Sequence, residues 1–223
     1  DEMYKRRSEI RIIVPRHEQA GGHAVDAISR ATGKTATLFV TSGPGATNTV
    51  TALATAMMDS VPMVCFTGQV SSGLIGSDAF QETDSIGVTR PVVKHSYMIT
   101  SAEDIPRIIR EAYYIAGSGR PGPVLVDIPK DFTTDTGIFH WPETVSIRGY
   151  KPTYEGHPKS IQRLADAIAE AERPYLYVGG GVVLANAHEE LMELVKKTNI
   201  PVTTTLMALG AFPGTHPLFV GMP

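Results

Sequence analysis

The sequence predicts an α/β fold, a parallel sheet flanked by helices, and three observations support it. Apolar runs of strand length recur at IRIIV (10–14), ATLFV (36–40), PMVCF (62–66), VVKHSYMI (92–99) and PVLVDI (123–128). They show little polar alternation, which suits strands covered on both faces. Segments of helical period separate them and supply the crossovers that parallel strands require.

The elements follow in order. The opening DEMYKRRSEIRIIV reads as part of a helix running into the first strand. With no initiator methionine or leader, and with an abrupt end at GTHPLFVGMP, the chain is expected to be a piece of a longer protein, truncated at both ends. After ATLFV comes TSGPGATN (41–48), in which Gly43 and Gly45 can take backbone angles closed to other residues and Pro44 fixes one φ and offers no N–H. The strand is expected to turn sharply into a helix there, leaving N–H groups for a polar ligand. Such turns are more often architectural than functional. The next helix is expected to bury Val50, Leu53, Ala54 and Met57. Ser101, with Asp104 three residues on, is a capping-box variant ahead of a helix carrying Ile105, Ile108, Ile109 and Ala112 on one face.

Beyond PVLVDI the texture changes to a Pro-, Thr- and Gly-rich stretch without sustained period. A structureless segment of that length is unusual inside one domain, so residues 131–157 are expected to be a linker between a first domain, 1–130, and a second, 158–223. The second domain restarts the α/β pattern with the helix KSIQRLADAIAEA, the strand PYLYVGG, the helix AHEELMELVKKT and the strand PVTTT.

A chain 42% hydrophobic and 19% charged, with net charge −3, has the composition of a soluble globular protein. Without a basic cluster there is no electrostatic reason to expect nucleic acid or an anionic membrane as partner. No apolar segment reaches the ~18 residues of a candidate membrane helix. Small metabolites remain. Cys65 is the single cysteine. It excludes an intrachain disulfide, fits a cytosolic-type compartment and, inside PMVCFTG, reads as a buried small hydrophobe rather than a nucleophile.

Four segments could carry chemistry. TSGPGATN matches neither the phosphate loop nor the dinucleotide fingerprint. VGGGV (178–182) is a second glycine turn after a strand, suited to close packing or to a cofactor. RHEQ (16–19) stands where IRIIV meets its helix, on the rim formed by the carboxyl ends of the strands, where open α/β sheets bind ligands. Taken alone, Glu18 is also a helix N-terminal charge, worth perhaps ~0.5 kcal/mol. GQVSSGLIGSDAFQETD (68–84) places Phe80 and Gln81 in a loop on the same rim, readable as functional or simply as mobile surface. His17, His23 and His95 form no metal pattern, and no G-x-S-x-G elbow occurs.

Together, RHEQ, TSGPGATN, MDSVPMVCFTGQV, IGSDAFQETD, TRPVVKHSY and GRPGPVLVDIPKD resemble the thiamine-diphosphate enzymes, and within them the acetolactate synthase (acetohydroxyacid synthase) catalytic-subunit family, over roughly residues 10–222. The resemblance implies a pyrimidine-binding domain up to Lys130, a linker, and the start of a central FAD-binding domain. It implies decarboxylation of pyruvate and its joining to a second 2-ketoacid, pyruvate or 2-ketobutyrate, the first common step of branched-chain amino-acid synthesis. The implied cofactors are thiamine diphosphate, Mg2+ with ligands in a further C-terminal domain, and a structural FAD.

By the same resemblance Glu18 is the activating glutamate that hydrogen-bonds the aminopyrimidine ring. Phe80, Gln81 and Lys130 line the active-site approach, and Val70, Ser71 and Ala79 its channel. Pro44, Gly45 and Asn48 shape the pyrimidine pocket. Arg120, Gly180, Gly181, Thr205, Leu206 and Met207 contact FAD, and no residue of this stretch is a metal ligand. A carboxyl in an apolar pocket is expected to have a raised pKa. The implied partners are a second copy, in a homodimer or tetramer with the active site between chains, and a small regulatory subunit; the implied location is cytoplasmic of bacterial type, with plastid or mitochondrion open.

The alternatives are another FAD-linked enzyme of the family, such as a pyruvate oxidase, or a stretch that is by itself an inactive binding or assembly module. Glyoxylate carboligase, which lacks the activating glutamate, fits less well. Two departures stand out: Asp26-Ala27-Ile28-Ser29 replaces an acidic-Gly-aromatic-Ala run, and Ser71 stands where proline is common.

Overall fold

The computed structural model describes residues 2–223, in two compact units that divide between Thr153 and Tyr154. The first unit runs α1 (Glu2–Lys5), α2 (Glu18–Thr32), β1 (Ala36–Val40), α3 (Pro44–Thr47), α4 (Val50–Asp59), β2 (Met63–Gln69), α5 (Ser85–Thr89), β3 (His95–Met98), α6 (Ile105–Gly117) and β4 (Pro123–Pro129). Its strands form one sheet in the order β1-β2-β4-β3, every pairing parallel. The α/β expectation holds.

The burial of the central strands explains the unbroken apolar runs. Every residue of β2 except Gly68 and every residue of β4 except Ile128 is buried. Alternate side chains serve opposite faces. Met63, Cys65 and Leu125 pack with Val25, Leu38, Leu53 and Ala56 beneath α2 and α4. Val64, Phe66, Val124 and Val126 pack with Ile108, Ala112 and Ile115 of α6.

Local chemistry sets the helix ends. His17 caps α2, its Nδ1 accepting the Gln19 N–H at 3.1 Å, and Gly33 closes it at φ +67, donating its N–H to Ser29 O. Ser29 Oγ donates to Pro62 O at 2.7 Å and accepts the Ala36 N–H at 3.2 Å, so the helix end is tied to the segments leading into two strands. Helices α2 and α4 touch where a Cβ on Gly22 would lie 2.4 Å from that of Ala52. At the end of α6, Lys94 Nζ donates to Ile115 O, Ser118 O and Tyr150 Oη at 2.5–2.8 Å.

Four sequence-based expectations need correction. IRIIV is not a strand: residues 11–15 pair with nothing among the described residues, and Ile10, Ile12, Ile13 and Val14 are exposed. A ladder needs a neighbour, and the β1 edge takes β2 on one side only. The buried face of α4 is Ala52, Leu53 and Ala56; Val50, Ala54 and Met57 are only partly covered, because the close approach of α2 selects the small side chains. In VVKHSYMI only His95–Met98 form a strand, since Arg90–Val92 are a 3-10 turn holding Pro91. Ser101 caps a single 3-10 turn, Ala102–Asp104, by accepting the Glu103 N–H, before α6 begins at Ile105.

After a 3-10 turn at Lys130–Thr133 the chain has no regular element until Pro158. Ile147 and Tyr150 nevertheless pack on the α6 side of the first core. The second unit holds α7 (Pro158–Glu170), β5 (Leu176–Val178), α8 (Gly181–Leu184), α9 (His188–Thr198) and β6 (Val202–Thr204), with β5 parallel to β6 over a core of Val178, Leu191, Val195, Val202, Ala208 and Phe212. Among the described residues no helix is long and apolar enough to cross a membrane.

Candidate functional site

Apart from Arg120, the polar residues singled out in the first unit gather at the carboxyl ends of its strands. β1 delivers Thr41 and Ser42 there, and α2, returning antiparallel to β1, brings its first residue Glu18 to the same rim. The TSGPGATN turn is built for close approach. Gly43 sits at φ +57 and ψ −117, where only glycine is unstrained, and a Cβ on it would lie 2.7 Å from the Gln81 carbonyl oxygen. On Gly45 a Cβ would strike Thr41 Cγ2 at 2.7 Å and stand 3.8 Å from Glu18 Oε1. The missing Gly45 side chain therefore lets Thr41 pack close beside one oxygen of the glutamate.

The other oxygen is taken. Asn48 Nδ2 donates to Glu18 Oε2 at 3.0 Å. This bond, with the Glu18 backbone N–H, holds the carboxyl below the usual glutamate range, and burial is too slight to reverse it. The expected upward shift is thus replaced by a downward one, since Glu18 remains partly open to solvent instead of sealed in an apolar pocket. The turn also spends much of its own hydrogen-bonding capacity: Gly45 N–H donates to Ser42 O, and Thr47 and Asn48 donate to Gly43 O and Pro44 O. The N–H groups expected to await a ligand are largely satisfied, and the free acceptor is the Glu18 carboxylate.

Phe80 and Gln81 belong to a turn organised by Glu82, whose carboxylate accepts the N–H groups of Gly76 and Ala79. Phe80 is 89% exposed, and Gln81 takes φ +60 with its backbone against Gly43. Lys130, also exposed, starts the turn after β4, where its neighbour Asp131 accepts from Ser72 N and Oγ at 3.0 and 2.5 Å. That pair ties the Val70–Ser71 loop to the Lys130 loop.

The residues expected at FAD lie elsewhere. Arg120 stands at the opposite end of the strands, donating through Nε to Ser60 Oγ at 2.7 Å and through a terminal nitrogen to Met58 O at 3.2 Å. In the second unit, Thr205 N–H donates to Val178 O, and a Cβ on Gly180 would meet Met207 Cβ at 3.1 Å, so the glycine turn and the 205–207 turn share one rim. Gly181 has open space at its Cβ, Leu206 is exposed, and Thr204 Oγ1 is buried without a partner.

A buried network under the rim escaped the sequence reading. Asp127 is fully buried, and its carboxylate accepts from Thr67 Oγ1 at 2.6 Å and Gln69 Nε2 at 3.0 Å. Burial outweighs both bonds and pushes its pKa up. A charge in the middle of PVLVDI was the available signal.

Comparison with known proteins then decides the family. The family model for the thiamine pyrophosphate enzyme N-terminal TPP binding domain matches residues 1–88, and that for the central domain of the same enzymes matches residues 161–223. The chain belongs to the thiamine pyrophosphate enzymes. Among relatives, this thiamine pyrophosphate enzyme chain is 50% identical over 212 residues to the acetolactate synthase large subunit of Buchnera aphidicola, covering 94% of itself and 37% of that protein. It is 52% identical over 216 residues to the acetolactate synthase large subunit of Corynebacterium glutamicum, covering 97% of itself and 34% of that protein. Against the acetolactate synthase isozyme 3 large subunit of Escherichia coli it is 50% identical over 212 residues, covering 94% and 37%. The chain thus spans about a third of the length of the curated relatives it matches. The two matched stretches of the thiamine pyrophosphate enzyme fall one in each compact unit.

Proposed function

We propose that this chain forms the pyrimidine-side half of an acetolactate synthase active site, together with the start of the domain that carries FAD. The observation that carries the reading is Glu18 itself: at the rim, one carboxylate oxygen is held by Asn48, and the other lies by Gly45, whose missing side chain lets Thr41 pack close. When bound, thiamine diphosphate supplies an acidic thiazolium carbon and an electron sink for decarboxylation. Glu18 would accept the hydrogen bond of the ring N1′ and hold a proton there. Asn48, bound to Oε2, fixes the carboxylate's rotamer and leaves Oε1 as the oxygen for the ring. As further chain closes over the rim, water leaves and the carboxyl pKa rises from its present low value toward that of the ring nitrogen, which makes the proton shareable.

Phe80, Gln81 and Lys130 are the groups available to position a 2-ketoacid. Phe80 offers an apolar face, Gln81 an amide and Lys130 a cation for the substrate carboxylate. In the second unit, the paired turns at Gly180–Gly181 and Thr205–Met207 would hold FAD, since the unpartnered Thr204 hydroxyl and the space at Gly181 fit a polar, flat group; for Arg120 a FAD contact rests on the resemblance alone. Mg2+ belongs to the same reading, with the ligands that the resemblance places in a further C-terminal domain. A second copy completing the site and a small regulatory subunit are part of the same reading.

The test is acetolactate formation from pyruvate by the complete reading frame containing this chain, loaded with thiamine diphosphate, Mg2+ and FAD. Acetolactate is the expected product. Acetyl phosphate or acetate formed with reduction of an external acceptor, and no acetolactate, would replace the reading with an oxidase.

A further inference from the structure

The buried network below the rim ends at the loop that carries Phe80 and Gln81. The Gln69 side chain is fully committed: Nε2 donates to Asp127 Oδ2 at 3.0 Å and to the Thr83 carbonyl at 2.7 Å, while Oε1 accepts the Val70 N–H at 2.9 Å. Only one orientation of that amide is compatible with these partners. With Oε1 turned toward Asp127, two acceptors would face each other in a buried setting, and Thr83 O would keep the Ser85 N–H but lose its link to the sheet interior. Asp127 is held in turn by Thr67 on the adjacent strand, within the continuous register of β2 and β4. A rigid sheet interior is therefore linked by two hydrogen bonds to the carbonyl two residues beyond Gln81.

The loop is held at two further places, by the contact of Gln81's backbone with Gly43 and, nearer its start, by Ser72 bonded to Asp131 beyond β4. Its internal turn, closed by Glu82, gives it shape without attaching it to the sheet. We propose that Asp127 and Gln69 are positioning residues: the buried carboxylate orients the Gln69 amide, and the amide fixes the Thr83 carbonyl and thereby the placement of Phe80 and Gln81 at the rim. The geometric part stands on the network alone, and its consequence for turnover rests on the proposed function.

The first measurement is amide hydrogen exchange across residues 76–84 of this chain, compared with exchange in β2 and β4. Gln69→Leu and Asp127→Ala are expected to speed exchange in the loop by roughly tenfold or more while the α6 side of the core keeps its protection. Asp127→Asn is the conservative rescue, because its oxygen can accept from Gln69 and its amide can donate to Thr67 Oγ1; loop exchange within about threefold of wild type is expected. Should the larger changes prevent folding, Gln69→Asn, one methylene too short to reach Thr83, reports instead. Wild-type loop exchange in Gln69→Leu or Gln69→Asn would overturn the proposal, as would Asp127→Asn matching Asp127→Ala.

In the complete cofactor-loaded protein, Gln69→Asn is expected to lower kcat for acetolactate by roughly tenfold or more with cofactor affinity little changed. A loosened loop with unchanged kcat would overturn the functional consequence and leave the geometric link standing. A loosened loop in a protein whose wild type makes no acetolactate would overturn the proposed function instead.

Discussion

Asn48 donates its side-chain amide to Glu18 across 30 residues of sequence, at 3.0 Å, and so fixes which carboxylate oxygen the rim presents. The bond joins the first residue of α2 to the C-cap of α3. It explains why a short, irregular turn of the sequence Gly-Pro-Gly precedes α4: the turn swings Asn48 back toward the glutamate while the two glycines let Gln81 and Thr41 pack closely on it.

Replacing Glu18 by Gln keeps the shape of the group and removes its capacity to take a proton. In the complete cofactor-loaded protein, the exchange rate of the thiazolium C2 proton is expected to fall by roughly 100-fold or more, with cofactor binding retained in part. Proton exchange followed by NMR after quenching measures this. Exchange at the wild-type rate would remove Glu18 from the mechanism.

Asn48→Ala removes the largest influence that lowers the Glu18 pKa, so the carboxyl should titrate at higher pH than in wild type. The sign for stability follows from linkage. Because the folded-state pKa is depressed, the Asn48–Glu18 contribution is present above the pKa of the unfolded chain and is lost as pH falls through the lower folded value. NMR titration of the Glu18 side chain in both proteins, at acidic pH, checks the direction; a downward movement in Asn48→Ala would contradict the bond.

Gly22→Ala should destabilise the first unit. The new methyl would stand 2.4 Å from Ala52 Cβ, between two helices held on one sheet. Overpacking of that kind costs about 1–3 kcal/mol, against about 1 kcal/mol gained in helix propensity. Urea unfolding of Gly22→Ala, Ala52→Gly and the double variant gives the coupling. The double variant is expected to recover the part of the loss that is steric.

Cys65 should be silent to thiol reagents in the native chain. It is fully buried in the first core, and desolvation pushes its pKa up to about 12. A disulfide reagent at mildly alkaline pH is expected to react only after denaturant is added. Stoichiometric labelling of folded protein would show that the α2–α4 side opens.

Much of the sheet could be read in the sequence because β2 and β4 are covered on both faces, and such strands show as unbroken apolar runs. The same rule misled at IRIIV, whose apolar residues meet no neighbouring strand among the described residues. Apolarity states what a segment would bury and not whether a partner is present. Glu18 and Asn48 were each visible as members of motifs, yet their bond spans two elements that only the tertiary fold brings together. Asp127 does not stand out in the sequence because its partners Thr67 and Gln69 lie on another strand and look like ordinary polar ends of PMVCFTGQ. Its burial reverses the usual expectation for an aspartate, and periodicity alone does not reveal that.

The placement of β2 beside β4 bears on how the chain is made as well as on what it does. Thr67 and Asp127, bonded in the middle of the sheet, are 60 residues apart. On a ribosome adding about 5–20 residues per second, β2 waits several seconds for the strand that will cover its free edge. During that interval its apolar backbone is an unpaired template for other nascent chains. Loop closure over such a separation is slow compared with helix formation, so α2 and α4 are expected to form early and shield one face of β2. Yield of this protein in a cell should therefore depend on temperature and on chaperone supply more steeply than its equilibrium stability would suggest.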